Sequence, residues 1–196
     1  MIERRSFLLL AATATALAAC GQSKPAFKAV DITGVDYARD FQLTDQHGQR
    51  RSLGEFAGKA VVVFFGFTQC PDVCPTTLGE IAEAKRLLGP DGDRLQGVFI
   101  TVDPERDTPE VLKSYVANFD PGIVALRGTP EETAQVAKDF KVYFKKVEGK
   151  TPGSYTMDHS AASFIYDPKG RLRLYSRYGS GAQAMADDVR SLLKGA

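Results

Sequence analysis

Two cysteines, Cys70 and Cys74, lie in a Cys-Pro-Asp-Val-Cys-Pro run and are the side chains of this chain best suited to redox or metal chemistry. Thiolates attack disulfides and bind soft metal ions. Helical residues four apart have Cβ atoms about 5–6 Å apart, wider than the roughly 3.5–4.5 Å that a disulfide needs. Pro71 disfavours a helical conformation at Cys70, so this residue can approach Cys74 from a loop. The spacing therefore allows both a metal-bridged form and a disulfide.

A purely structural disulfide is the alternative interpretation of this pair. In the chain-entropy model, so short a loop contributes only about 2 kcal/mol, and the start of a helix is chemically exposed. The amino end of a helix favours a thiolate by about 0.3–2 kcal/mol, but the carboxylate of Asp72 between the cysteines opposes it. We interpret Asp72 as a solvated turn residue. Because a bound metal ion deprotonates a coordinating thiol, metal binding is expected to release protons.

The elements that position the cysteines are typical of an α/β fold. Apolar runs from Ala60 to Phe65 and from Gly97 to Val102 predict two strands that are buried on both faces. Both cysteines fall where the first strand gives way to a helix, with Pro75 in the first turn of that helix. The helix is expected to end near Gly89. Later helices are predicted at two Thr-Pro-Glu motifs, which begin at residues 108 and 129.

Hairpins complete the predicted sheet. One is expected at residues 41–53, ahead of the main sheet, and another at residues 163–175, while residues 142–157 form an insertion. An amphipathic helix closes the chain at residues 185–193. This order predicts a thioredoxin-like α/β sandwich with an extra N-terminal β-hairpin and an inserted hairpin before the last strands. In that architecture the reactive site lies where the first strand meets the following helix.

The amino-terminal residues predict export. Arg4 and Arg5 precede an apolar run that is too short to span a bilayer comfortably, and this run ends at Cys20 in a Leu-Ala-Ala-Cys sequence that resembles the bacterial lipobox. We therefore expect a lipoprotein signal peptide at residues 1–19, a lipid anchor and tether at 20–39 with Cys20 as the lipidated residue, and the folded domain at 40–196. The alternative is a cleaved soluble export signal. The predicted location is the periplasmic side of a membrane in a bacterial cell envelope.

The acidic and basic residues of the predicted mature chain balance each other. Removal of residues 1–19 deletes two of the 25 basic residues and one of the 24 acidic residues, which leaves 23 of each in the mature chain. This balance gives no indication of nucleic acid binding. The remaining length fits one domain with a core large enough to fold without a structural metal.

Three sequence blocks, taken together and in order, resemble those of the Sco/SenC family, and the resemblance extends from about Phe41 to the C-terminus. The blocks are Gly66-Phe67-Thr68-Gln69-Cys70-Pro71-Asp72-Val73-Cys74-Pro75, Asp103-Pro104-Glu105-Arg106-Asp107-Thr108-Pro109 and Asp158-His159-Ser160. The resemblance implies a membrane-anchored, thioredoxin-like copper protein with Cys70, Cys74 and His159 as ligands. It also implies assistance in assembling the copper centre of cytochrome c oxidase, with oxidase subunit II or a similar copper acceptor as partner. Some relatives have a histidine at the position of Gln69. Because this chain has glutamine there, the resemblance implies no fourth ligand from that position.

The residues themselves are compatible with copper. If Cys20 is lipidated, the mature chain offers two free thiols and two imidazoles, those of His47 and His159. A closed zinc site normally takes four ligands, whereas a set of two sulfurs and one nitrogen suits Cu(I) and can also hold Cu(II). His47 is predicted to lie in a surface turn. His159 occupies the place where thioredoxins usually carry a cis-proline, which favours a ligand; the alternative is a partly buried histidine bonded to the backbone.

Neighbouring residues are assigned supporting roles. Asp158 is expected either to orient the ring of His159 or to be a turn residue, and Met157 to be a hydrophobic contact of the insertion. Asp103 is predicted to support the site loop without binding the metal, and Asp107 to cap the helix that follows it.

Three function classes follow from these residues. The first is a copper metallochaperone, which transfers a metal and is not an enzyme. The second is a thiol:disulfide reductase that keeps the cysteines of an exported copper protein reduced. The third is a peroxidase of the peroxiredoxin kind; it is disfavoured because Phe67 stands where those enzymes have a threonine three residues before the reactive cysteine.

Overall fold

The protein is described here by a computed structural model that covers residues 26–195. The predicted signal peptide at residues 1–19 and Cys20 lie outside the described residues. The strands are β1 (Val30–Asp31), β2 (Leu43–Asp45), β3 (Arg50–Arg51), β4 (Ala60–Gly66), β5 (Leu95–Thr101), β6 (Val124–Arg127), β7 (Phe144–Glu148), β8 (Tyr155–His159), β9 (Ser163–Tyr166) and β10 (Leu172–Ser176). The α-helices are α1 (Val73–Leu87), α2 (Pro109–Ala117), α3 (Pro130–Asp139) and α4 (Ala182–Leu193).

Eight strands form one mixed sheet in the order β1-β10-β9-β4-β5-β6-β2-β3. The strands β4, β5 and β6 are parallel to one another, and the other pairs are antiparallel. All residues of β4 and β5 are buried, as the continuous apolar runs predict for strands covered on both faces. The β7 and β8 strands form a separate two-stranded sheet, which is the inserted hairpin that the sequence predicts.

The aromatic side chains of β4 define the two faces of the sheet. Phe64 stacks on Phe99 with a ring-centroid distance of 6.1 Å, whereas Phe65 packs edge to face on Phe140 at 5.1 Å. Successive side chains of a strand point to opposite faces, so each phenylalanine anchors one layer of the core. The sheet is thereby fixed on both sides at the end of β4, where the cysteine loop begins.

The element boundaries agree in part with the sequence predictions. The helix α1 ends at Leu87, close to Gly89 as predicted, but the residue that caps α2 is Thr108, whose hydroxyl accepts from the backbone N–H of Val111. The assignment of Asp107 as the cap is therefore wrong. Thr129 does cap α3, and it forms the expected reciprocal bonds with a glutamate three residues later. The strands β1 and β6 are not indicated by the sequence pattern.

The amino-terminal part of the described chain lies against the domain. Val30 and Asp31 pair with β10 at one edge of the sheet, and the backbone N–H groups of Lys28 and Ala29 donate to the carboxylate of Asp188 at 2.7 and 2.8 Å. Folded structure therefore begins before residue 40. The predicted N-terminal hairpin is present as β2 and β3, but it joins the main sheet through β6 and does not precede it. No helix among residues 26–195 has the length and apolar character needed to cross a membrane.

Gly66 ends β4 in a position with no room for a side chain. A Cβ atom there would lie 2.7 Å from Cys74 Sγ, 2.8 Å from a ring carbon of Phe99 and 3.0 Å from one of Phe64. We expect Gly66→Ala to lower the free energy of unfolding by about 1–3 kcal/mol, the usual effect of overpacking a core. Urea unfolding of the reduced, metal-free protein measures this change.

The matched control is Gly79→Ala in α1, where an added Cβ meets no atom within 4 Å. Alanine is a better helix former than glycine, so this variant should gain roughly 0.5–1 kcal/mol. Equal stabilities for the two variants would contradict the packing argument.

Candidate metal centre

The two cysteines lie on either side of the start of α1 at Val73. Cys70 is in the loop after β4 and is partly exposed, whereas Cys74 is within the helix and is completely buried. The backbone N–H of Cys74 donates to Cys70 Sγ at 3.4 Å, so the helix end directs a donor at the loop sulfur. Both thiols are free. The non-helical position predicted for Cys70 is confirmed.

The histidine reaches this loop because of the strand order. The strand β9 runs antiparallel to β4, and Ser163 at its start pairs with Phe64 near the end of β4. The chain that precedes β9 is therefore held beside the cysteine loop. His159, the last residue of β8, lies in that position.

The imidazole of His159 is fixed in orientation. Its Nδ1 lies 2.9 Å from the carbonyl oxygen of Ser160, and because a carbonyl only accepts, Nδ1 carries the proton. The Nε2 lone pair then faces Cys74 Sγ at 3.5 Å. The rings of Phe64 and Phe67 meet the imidazole edge to face, with centroid distances of 6.1 and 5.8 Å. Both the tautomer and the ring plane suit a metal ligand.

One atom from each of Cys70, Cys74 and His159 lies within 4.8 Å of the other two, which makes these residues a possible metal-binding group. Protein metal sites such as those of zinc have bonds of about 2.0–2.3 Å to nitrogen and sulfur. Two such bonds easily span the 3.5 Å between Cys74 Sγ and His159 Nε2. A single ion can therefore contact all three ligands with small movements.

Burial sets the protonation states of Cys74 and His159. Desolvation raises the pKa of Cys74, the hydrogen bond to Cys70 raises it further, and a backbone hydrogen bond from Phe67 opposes the shift. Desolvation lowers the pKa of His159, against the opposing effects of the Ser160 carbonyl and Asp158. Without metal, Cys74 is therefore a neutral thiol and His159 a neutral imidazole near pH 7.

Asp107 holds the cysteine loop. Its carboxylate is completely buried and accepts from the backbone N–H of Thr68 at 3.1 Å, from the Thr68 hydroxyl at 2.6 Å and from the hydroxyl of Thr101. Burial raises the pKa of this carboxyl although the hydrogen bonds from both threonines oppose that shift. Asp107 thus ties the loop two residues before Cys70 to the end of β5, instead of capping α2.

Asp103 supports the site through a second set of contacts, as predicted. Its carboxylate accepts from Arg106 Nε and from the hydroxyl of Tyr155 at 3.0 Å. Arg106 also contacts Gln69, the residue before Cys70. No sequence pattern singles out Arg106 or Tyr155, although Arg106 lies inside one of the three blocks.

The remaining candidates lie outside the ligand group. His47 is exposed in the turn between β2 and β3, as predicted. Asp72 is exposed and accepts from Tyr178 at 3.4 Å. Met157 is half buried against the core, and the exposed Asp158 pairs across the hairpin with Lys145, so the backbone of Ser160, and not Asp158, accepts the hydrogen bond of the imidazole.

Sequence comparisons agree with this geometry. The family model of SCO1/SenC matches residues 30–194. The mitochondrial SCO2 homologue of Danio rerio is 38% identical over 158 residues, which cover 79% of this chain and 56% of that protein. The SCO2-like protein of Rickettsia felis is 38% identical over 133 residues, which cover 67% of this chain and 65% of that protein. The chain thus matches less than two thirds of the length of these relatives.

Solved structures are similar over most of the chain. Bradyrhizobium japonicum ScoI with copper bound has a TM-score of 0.71 and 44% identity, and the match covers 78% of this chain and 97% of that one. Yeast Sco1 with copper bound has a TM-score of 0.72 and 33% identity, with coverage of 80% and 88%. These neighbours have the thioredoxin-like fold, which confirms the predicted fold class. Since the family model accounts for almost all of the described residues, the chain belongs to the SCO1/SenC family.

Proposed function

We propose that this protein is a membrane-anchored copper metallochaperone that assists assembly of the copper centre of cytochrome c oxidase. The observation that carries the proposal is the convergence of Cys70, Cys74 and His159 at the end of β4. Copper-bound structures of two similar Sco proteins support copper as the ion. Two thiolates and one imidazole form a ligand set that holds Cu(I) and can also hold Cu(II).

Each ligand contributes differently to holding and releasing copper. Cys74 is buried and holds the ion from the core side of the site, whereas Cys70 is partly exposed and holds it from the solvent side. His159 presents an unprotonated Nε2 without first losing a proton. Three ligands leave a coordination position open to an incoming ligand of the acceptor, which is the arrangement that a transfer protein requires.

The partner and location belong to the same proposal. We assign Cys20 as the lipidated anchor, residues 1–19 as the signal peptide, the periplasm as the compartment and oxidase subunit II or a similar protein as the acceptor. The lipobox-like sequence before Cys20 supports the anchor. Family membership supports the acceptor class.

A thiol:disulfide reductase is a second candidate, and the unequal exposure of the cysteines favours it. A partly exposed Cys70 can attack a substrate disulfide, and Cys74 behind it can then displace the substrate to form the Cys70–Cys74 disulfide. The raised pKa of Cys74 slows that second step, because the thiolate is the nucleophile.

His159→Ala tests the ligand assignment. Replacement of a residue that only supports a metal ligand typically weakens metal binding about 10–100-fold. Loss of one of the three ligands themselves should weaken Cu(I) binding by at least this factor. The Cys70–Cys74 reduction potential should change little. Competition with a chromophoric Cu(I) chelator measures the affinity. His47→Ala, which removes the exposed imidazole, is the control and should bind as the parent does. Parental affinity in His159→Ala would refute the assignment.

Copper binding should release protons and weaken in acid. Because burial raises the pKa of Cys74, this thiol is protonated near pH 7 and must lose its proton to bind. The imidazole of His159, whose pKa is lowered, takes up a proton that competes with the metal only in more acidic solution. Affinity should therefore fall about tenfold per pH unit for each proton released as the pH decreases. Titration in weak buffer with a pH indicator counts the protons; a count of zero near pH 7 would contradict thiolate ligation by Cys74.

Reductase activity has its own test. The metal-free, reduced protein should reduce a disulfide in the copper-accepting domain of oxidase subunit II if the second candidate is right. Mass spectrometry of alkylated products follows the exchange, and Cys70→Ser should abolish it because it removes the exposed nucleophile. No exchange by the parent protein would eliminate this candidate and leave the metallochaperone proposal in place.

A further inference from the structure

The hairpin that carries His159 lies outside the main sheet and is largely exposed. The β7 and β8 strands share no ladder with the main sheet, and every residue of β7 after Phe144 is exposed. A cavity of about 170 Å³ lies beneath the hairpin, lined by side chains that include Val102, Thr133 and Met157. The hydroxyl of Thr133 is buried without a hydrogen-bond partner. Phe144 and Met157 pack against the core, but both border this cavity. Polar contacts therefore contribute to the orientation of the hairpin.

Arg106 connects the hairpin to the cysteine loop. Its Nη1 donates to Gln69 Oε1 at 3.0 Å and to the backbone oxygen of Tyr155 at 2.9 Å. Its Nε donates to Asp103, and its guanidinium lies 3.6 Å from the ring centroid of Tyr155. The Tyr155 hydroxyl also donates a hydrogen bond to the carboxylate of Asp103. One planar side chain thus joins the loop before Cys70, the segment after β5 and the start of β8.

The other polar contacts of the hairpin do not replace this link. The ion pair between Lys146 and Glu105, at 3.3 Å, is exposed on both sides and therefore contributes little. The bonds between Tyr143 and Ser160 tie the two ends of the hairpin to each other and not to the cysteine loop.

We propose that Arg106 is a positioning residue, which sets the distance between the imidazole of His159 and the two sulfurs. Tyr155 and His159 point to the same side of β8, since alternate residues of a strand share a face. Holding Tyr155 by its ring and its carbonyl therefore fixes the tilt of the face that presents His159. The inference rests on the proposed copper-binding function.

Arg106→Lys in the full chain is the principal test. Lysine keeps the charge but cannot donate along the planar fork or stack in the same way. Cu(I) affinity should fall about 10–100-fold, as it does when residues that orient metal ligands are replaced. The amides of β8 should exchange faster with solvent in the metal-free protein. The matched control is Arg190→Lys, whose guanidinium likewise binds a carboxylate and a backbone carbonyl, those of Asp187 and Leu87, at the far end of α1.

A double-mutant cycle with His159→Ala separates positioning from general destabilisation. If Arg106 acts through the imidazole, Arg106→Lys should have no further effect on Cu(I) affinity once His159 is alanine. An equal loss in both backgrounds, or parental affinity in Arg106→Lys, would overturn the proposal. Tyr155→Phe, which removes only the bond to Asp103, gives the same comparison with a smaller expected loss if Arg106→Lys does not fold.

The outcomes also distinguish this proposal from the one on which it rests. If the parent protein does not bind copper, the copper-binding function fails. Amide exchange in the metal-free proteins then decides the role of Arg106: faster exchange in β8 for Arg106→Lys alone supports it, and unchanged exchange overturns it.

Discussion

The contact between His159 Nε2 and Cys74 Sγ is the one on which the candidate metal centre depends, because it joins segments 85 residues apart in the chain. Both groups are desolvated, and burial favours the neutral form of each. Without metal, the site therefore buries no net charge, which avoids the cost of an isolated ion in an apolar environment. A thiolate at Cys74 becomes favourable only when a cation accompanies it. Under the proposed function, the burial that suppresses the free thiolate thus couples metal binding to deprotonation of Cys74.

The same burial separates the two candidate functions. Thiol exchange needs a thiolate on each cysteine in turn, and the pKa of Cys74 is raised. A disulfide also needs the sulfurs at about 2.05 Å, whereas Cys74 N–H already uses Cys70 Sγ as its acceptor and Cys74 Sγ faces an imidazole. These contacts favour a pair of ligands over a rapidly cycling disulfide. The two thiols can carry out disulfide exchange, but the arrangement of the site is better suited to holding an ion.

The sequence predicts the site more completely than it predicts what holds the site together. Cysteine spacing, Pro71 and the apolar run before them suffice to place both thiols correctly, since those signals are local. The prediction that Asp107 caps α2 is wrong because Asp-Thr-Pro-Glu offers two adjacent candidate caps, and the bonds that occupy Asp107 reach Thr68, 39 residues earlier. The sequence pattern does not predict the strand β1 for a similar reason. Its two residues become a strand by pairing with β10, near the other end of the chain.

Two different supports hold the candidate ligands, and under the proposed function this difference matters for release of the ion. The thiol loop follows a fully buried parallel strand and is tied to β5 by the buried carboxylate of Asp107. His159 instead lies on a peripheral hairpin beside a cavity, and the polar contacts of Arg106 together with the rings of Phe64 and Phe67 connect it to the rest of the site. Local opening costs least where few apolar contacts must be broken. Under the proposed function, the imidazole is therefore the first ligand to leave when an acceptor approaches, and the two sulfurs retain the ion until the acceptor supplies ligands of its own.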